Sequence, residues 1–324
     1  MIPPYCHCEA LFAEAVSPYY QEITTLRPSS WEPYDRSACE SIIPFMINYT
    51  PHQIHEIITG YRAPDRSQYP ELDDYTRDEL YEDCSGGGGL YLAARMLRTM
   101  DLKAGDIILD LGCGKGATSL FLASRFGVKV IALDLWTSAT FLDHKFTRYG
   151  YRDQIIPLNM DVTHELPFAE DYFDAVFCMN SFNFYGGNHQ FLQHLLKHLK
   201  PGGQLCIGSE VLTDEFTAEQ LRNPPYVYAF RLPPPNEAVD VFEDDFKKQH
   251  TPGWWRELFE SSGLLKVTYC EALDDAEVLF EEMVRHEYEH ESNPFDVAIC
   301  LAQAEWDRSH RPKRSLFVLT ASKL

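Results

Sequence analysis

The part of the chain best equipped for chemistry is a run of glycines behind an apolar strand. Ile107-Ile108-Leu109 leads into Asp110-Leu111-Gly112-Cys113-Gly114-Lys115-Gly116, and Ala117-Thr118 then opens a helix. Glycine lets a backbone approach a ligand where any side chain would clash. The helix start adds N–H groups with no partner inside the helix. The spacing is G-x-G-x-G, whereas the dinucleotide fingerprint is G-x-G-x-x-G and tolerates Ala at its last position, here Ala117. Asp110 separates the two readings better than the spacing does. A carboxylate directly before the turn repels a pyrophosphate and suits a ligand carrying the ammonium of an amino-acid tail. The competing reading is a turn kept tight for packing alone.

Two further acids follow at the ends of strands. Val128-Lys129-Val130-Ile131-Ala132-Leu133 ends at Asp134. An acid at the end of the second strand can hold both hydroxyls of a ribose; taken alone, it would read as a helix cap. Leu158-Asn159-Met160-Asp161-Val162 closes the third strand. The segment from Met179 to His189 follows the fourth and carries Asn180, Ser181, Asn183, Tyr185 and Asn188. In open α/β sheets ligands bind beyond the carboxyl ends of the strands, so this segment should face an acceptor molecule. His189 is the residue there suited to base work near neutrality, with Tyr185 next. His189 also reads as the first turn of the following helix.

Apolar runs place the elements that must hold these residues. Strands are expected at 107–109, 128–133, 155–160, 173–179, 204–208, 265–270 and 316–321. Helices are expected at 90–100, 117–126, 138–149, 190–199 and 254–262, with one or two charged helices over 274–309. Alternation of strands and helices implies crossovers and a parallel sheet. Lys200-Pro201-Gly202-Gly203 reads as a turn and Ser85 to Gly89 as a flexible loop. Residues 1–84 hold nine prolines, which keep helices short, and read as an N-terminal helical lid. The main domain then covers 85–324, with 211–251 and 274–309 as insertions that cap the acceptor.

These motifs, in this order, resemble class I S-adenosylmethionine-dependent methyltransferases, and are similar to the ubiquinone/menaquinone-biosynthesis type. The matching pieces are Leu109 to Gly116, Ala132-Leu133-Asp134, Met160-Asp161, Leu166-Pro167-Phe168 and Leu196 to Gly203. They cover about residues 85 to 210. The resemblance implies a Rossmann-like seven-stranded α/β sheet with helices on both faces and the last strand antiparallel. It implies S-adenosyl-L-methionine as cofactor and S-adenosyl-L-homocysteine as product. By position, Asp110, Gly112, Cys113 and Gly114 would cradle the methionine part and Asp134 the ribose. Leu135 and Trp136 would flank the adenine, Asp161 would accept from its amino group with Val162 beside it, and Asn180 would lie near the methionine tail and the acceptor. Methyl transfer from a sulfonium is an in-line displacement, so the protein must chiefly align the acceptor and exclude water.

The 324 residues carry 28 basic and 49 acidic side chains, a net charge of −21. Such a surface repels a phosphate backbone, so the expected partner is a small-molecule acceptor, with no nucleic acid. No apolar run is long enough for a membrane span, and the N-terminus lacks the pattern of a secretory signal. A cytoplasmic location follows as an expectation, compatible with a homodimer; Ser322-Lys323-Leu324 matches a peroxisomal address that only a eukaryotic cell would read. The nine cysteines form no disulfide framework, and no metal site is expected. Cys6-His7-Cys8 has no second half at zinc spacing, and His286 and His290, with Glu282, sit on an acidic helix. The alternatives are a noncatalytic cofactor-binding protein, a metalloid methyltransferase using Cys6, Cys8, Cys39 or Cys84, a nicotinamide dehydrogenase, and a cyclopropane-forming enzyme.

Overall fold

In the computed structural model, residues 51–84, 86–222, 245–290 and 294–324 are described. Nine helices and seven strands lie among them: α1 (Pro51–Thr59), α2 (Gly89–Leu97), β1 (Ile107–Leu111), α3 (Ala117–Phe126), β2 (Lys129–Asp134), α4 (Ala139–Arg148), β3 (Ile155–Asn159), β4 (Phe173–Met179), α5 (His189–Leu196), β5 (Leu199–Leu212), α6 (Ala218–Arg222), α7 (Pro252–Ser261), β6 (Leu265–Ala272), α8 (Ala276–Glu289), α9 (Pro294–Ser309) and β7 (Arg314–Lys323).

The strands form one sheet in the order β3-β2-β1-β4-β5-β7-β6. The β3, β2, β1, β4 and β5 pairings are parallel, and β7 runs antiparallel to both β5 and β6. This is the seven-stranded sheet with its last strand antiparallel that the motifs imply. Side chains alternate between its faces, as a strand's period of two requires. Ile108, Val130, Ala132, Ala175, Phe177 and Val318 belong to one buried cluster. Their neighbours Leu109, Ile131, Leu133, Val176, Cys178 and Phe317 belong to a second. Both faces are covered, which explains why these strands read as continuous apolar runs.

The chain divides into two compact units. Among the described residues, the sheet lies in the unit within 63–215, 248–283 and 314–324; the other collects 51–62, 216–222, 245–247, 284–290 and 294–313. Residues 63–84, which the sequence groups with the N-terminal segment, cluster with the sheet. Arg66–Gln68, Pro70–Leu72 and Asp78–Leu80 form short 3-10 turns, as the prolines require. Tyr69, Leu72, Leu80 and Tyr81 nevertheless lie in the first core cluster of the sheet unit. The expected insertions also divide differently: 211–215, 248–251 and 274–283 belong with the sheet, and Glu282 there pairs with Arg77. In the second unit, Ile58, Tyr61, Val284 and Leu301 form a small apolar cluster, and Gln220 Nε2 donates to the Arg311 carbonyl at 3.0 Å. The His286 and His290 rings stack at 4.1 Å. Pro294 opens α9, as a proline at a first helical position can.

The expected turn at 200–203 is instead the start of β5, whose pairing with β4 shifts register between Phe173 and Ala175. Among the described residues no helix is long and apolar enough to cross a membrane.

Candidate active site

The strand order reverses direction at β1, which has β2 on one side and β4 on the other. Ligands bind at such a switch point, in the crevice past the strand ends. The glycine turn leaves β1 there, and the Asn180–Asn188 segment leaves β4 beside it.

The turn is fixed by backbone bonds. Gly112 N and Cys113 N both donate to the Leu133 carbonyl, at 2.9 and 3.0 Å, and Gly116 N donates to Cys113 O at 2.9 Å. Gly112 has φ +71°, and a Cβ on it would lie 2.2 Å from Ser181 Oγ. Only glycine fits there on both counts. Gly114 has φ +53° and open space where a Cβ would stand. One glycine is thus covered by protein, and the other faces open space.

Asp134 connects this turn to the loop after β2. Its Oδ2 accepts from Gly114 N at 2.9 Å, and its Oδ1 accepts from Trp136 N at 2.9 Å and Thr137 N at 2.8 Å. Leu135 and Trp136 follow with exposures of 38% and 49%, large apolar side chains open to a planar ligand. Asp161 Oδ1 accepts from the amide and hydroxyl of Thr163 at 2.8 and 2.7 Å, and Val162 beside it is buried.

Asp110 is 1% exposed, and its Oδ2 accepts from Thr118 Oγ1 at 2.6 Å and Ser119 Oγ at 2.5 Å. Burial pushes its carboxyl up to about 6, against the pull of the two hydroxyls. The carboxylate therefore anchors the first turn of α3, a role that the sequence reading did not assign to it.

Past β4, Asn180 takes φ +54°, which Asn tolerates better than most residues. Its Nδ2 donates to Gly87 O at 3.1 Å, so the predicted flexible loop is a packed neighbour of the site. Ser181 Oγ donates to Leu111 O at 3.0 Å and lies 2.8 Å from Tyr185 Oη. Tyr185 Oη is also 3.3 Å from Cys178 Sγ. Burial, and then Cys178, hold the Tyr185 hydroxyl well above its ordinary pKa. That hydroxyl stays protonated and makes a poor base.

The His189 ring is engaged by α7. Its Nε2 lies 3.1 Å from the Leu258 carbonyl and 3.0 Å from Ser261 Oγ, both on α7. A carbonyl only accepts, so Nε2 carries the proton. His189 is the opening residue of α5, whose cap is Asn188. This matches the reading of His189 as the first turn of the helix after β4. The sequence reading missed Ser181, whose contact with Gly112 spans 69 positions and leaves no local pattern. Among the cysteines, burial pushes the thiols of Cys84, Cys178 and Cys206 up to about 12. That disfavours thiolate chemistry at Cys84; Cys6, Cys8 and Cys39 lie outside the described residues.

Comparison with known proteins adds to this geometry. Residues 108–203 match the family model described as "Methyltransferase domain", the segment that holds the glycine turn, Asp134 and Asp161. The chain is 26% identical over 127 residues to glycine/sarcosine/dimethylglycine N-methyltransferase of Actinopolyspora halophila, covering 39% of this chain and 22% of that protein. It is 27% identical over 139 residues to methyltransferase GfsG of Streptomyces halstedii, covering 43% of this chain and 50% of the relative. The match thus spans half or less of these relatives' own length. Among solved structures, phosphoethanolamine N-methyltransferase 2 of Haemonchus contortus superposes with a TM-score of 0.59 at 18% identity, over 80% of this chain and 58% of that one. The resemblance to class I methyltransferases read from the motifs is shown for the matched segment and for the fold.

Proposed function

We propose that this chain, whose residues 108–203 match a methyltransferase domain, transfers a methyl group from S-adenosylmethionine to a small-molecule acceptor. The observation that carries the reading is the open space at Gly114, at the switch point of the sheet, where the Asp134 carboxylate accepts from the Gly114 amide. The residues present suit the cofactor. Gly114 admits its methionine part against the backbone, while Gly112, packed under Ser181, holds the turn. Asp134 offers acceptors to the ribose hydroxyls, and Leu135 and Trp136 offer apolar surface to the adenine. Asp161 and Val162 border the far end. Asn180 presents an amide beside the turn, and Asp110, with Cys113, backs the cradle from within.

When bound, the cofactor supplies an electrophilic methyl on a positively charged sulfur. The protein supplies orientation and a dry surface. Ser181 and Tyr185, from the segment past β4, close the Gly112 side of the turn. Holding acceptor and methyl in line is the main source of acceleration such a site can offer. Relatives named for transfer to glycine, sarcosine and phosphoethanolamine support a small acceptor. The net charge of −21 argues against a nucleic acid. Segments 1–84, 211–251 and 274–309 are proposed to confer acceptor choice. Deleting residues 1–60 should then lower acceptor turnover more than cofactor affinity, and equal activity would remove that idea.

The test of the activity is transfer of label from tritiated S-adenosylmethionine to glycine, sarcosine, phosphoethanolamine and catechol. Label in an acceptor, with S-adenosylhomocysteine formed in equal amount, supports the reading. Tight cofactor binding with no transfer to any acceptor favours a noncatalytic binding protein.

A further inference from the structure

Several histidines of the sheet unit have a ring nitrogen held by a partner; His164 Nδ1 lies 3.5 Å from Asp161 Oδ2 on an exposed side chain. His194 Nε2 lies 3.0 Å from the Val162 carbonyl, and His198 Nδ1 lies 3.1 Å from the Ala169 carbonyl. Both are anchored to backbone in the same way as His189.

His250 differs. Its Nδ1 lies 2.9 Å from Glu215 Oε2, and a carboxylate accepts, so Nδ1 carries the proton. The other oxygen of Glu215 accepts from Thr251 N at 2.7 Å and from Thr251 Oγ1 at 2.8 Å. Burial opposes ionisation of Glu215, but these bonds and His250 outweigh it and hold the carboxyl below its ordinary range. The imidazole stacks on the Trp254 indole, with centroids 3.6 Å apart and planes 7° from parallel. Leu212 N donates to the His250 carbonyl at 3.1 Å, which ties the residue to the end of β5. The ring is thus held by one edge, one face and its backbone. Nε2, on the opposite edge, makes no hydrogen bond among the described residues, and the side chain is 22% exposed.

The location suits an acceptor. Glu215 lies just past the carboxyl end of β5 (Leu199–Leu212), on the same edge of the sheet as the glycine turn. Trp254 reaches the segment past β4: a Cβ on Gly187 would lie 3.8 Å from the indole. Lys248 Nζ stands 6.0 Å from the centroid of Phe184. That segment also carries Tyr185 and Ser181 to Gly112.

We propose that His250 is the general base of the reaction, with Glu215 as its positioning partner, and that the acceptor is a hydroxyl or amine that must lose a proton. The proposal rests on the methyl-transfer reading. The acceptor oxygen or nitrogen attacks the methyl carbon and forms the new bond. The carbon–sulfur bond breaks with its electron pair passing to sulfur, which leaves as the neutral thioether of S-adenosylhomocysteine. The acceptor's proton passes to Nε2, and the imidazolium is balanced by the Glu215 carboxylate. A carboxylate that fixes the tautomer and steadies the charged ring is the established division of labour in such pairs.

The test uses the full chain as wild type, His250→Ala and Glu215→Gln, with catechol, sarcosine and phosphoethanolamine as probes. Cofactor affinity, thermal midpoint and initial rate are measured for each. Wild type should methylate at least one probe. His250→Ala should lower kcat by about 100-fold or more, leave cofactor affinity within about twofold, and regain at least about tenfold in rate when free imidazole is added. Glu215→Gln should lower kcat less. A His250→Ala rate within about threefold of wild type overturns the proposal. So does a loss that imidazole does not restore and that follows the thermal midpoint, since Glu215 and His250 would then only clip the chain together. A wild type that binds the cofactor yet methylates none of the probes overturns it too. A wild type that does not bind the cofactor contradicts the methyl-transfer reading itself, and the base assignment with it.

Discussion

Asp134 grips the amide of Gly114: its Oδ2 lies 2.9 Å from that nitrogen, while its Oδ1 takes the amides of Trp136 and Thr137. One carboxylate at the end of β2 therefore sets both the glycine turn and the loop that follows. Asp134→Ala removes these bonds and the proposed ribose contact. Cofactor affinity should fall by roughly 1–3 kcal/mol, the size expected for loss of hydrogen bonds to a charged group. Calorimetric titration of the variant checks this, and unchanged affinity would remove the ribose assignment.

Gly112→Ala places a methyl group 2.2 Å from Ser181 Oγ and 2.6 Å from Ser181 Cβ, at φ +71°. Strain of this kind costs roughly 1–3 kcal/mol. Urea denaturation should show a loss of that order, and Ser181→Gly in the same chain should recover part of it. A fully stable single variant would contradict the close packing described.

Asp110 gives a pH dependence with a definite sign. Its carboxyl is pushed up to about 6 by burial, from 3.8. The folded state therefore binds this proton more tightly than the unfolded state. Its contribution to stability is greatest below about pH 4 and declines as pH rises to about 6, by a total of roughly 3 kcal/mol at most. Denaturant midpoints of wild type and Asp110→Asn, compared at intervals from pH 4 to 7, isolate the effect. Wild type should lose ground against the variant as pH rises. A difference that is constant across the range would show that Asp110 titrates normally.

His189→Ala should lower stability by roughly 0.5–1.5 kcal/mol, the worth of an ordinary hydrogen bond, through loss of its contacts with α7. Cofactor affinity and turnover should stay within about twofold. A large fall in kcat alone would restore His189 as a base.

The parts legible in the sequence are those written in consecutive residues. Ile107 to Gly116 announces strand, turn and helix in ten positions, because glycine and the acid act locally. Asp134 is legible for the same reason. The register of the alternating faces, such as Ile108 against Leu109, was hidden because both faces are apolar. Residues 63–84 looked separate because prolines govern local geometry, while Tyr69, Leu72 and Leu80 reach the core through tertiary packing. His189 looked like a base because its neighbours in sequence follow β4; its ring direction is set by α7, 69 and 72 positions away. Glu215 and His250 meet across 35 positions, and no spacing rule foretells such a pair.

The most direct test of the central claim is calorimetric titration of the full chain with S-adenosylmethionine, with NAD titrated as control. The glycine turn, with Asp110 before it and Asp134 beside it, predicts micromolar or tighter binding of S-adenosylmethionine and none of NAD. Binding of NAD alone would contradict the account and assign the turn to a dinucleotide.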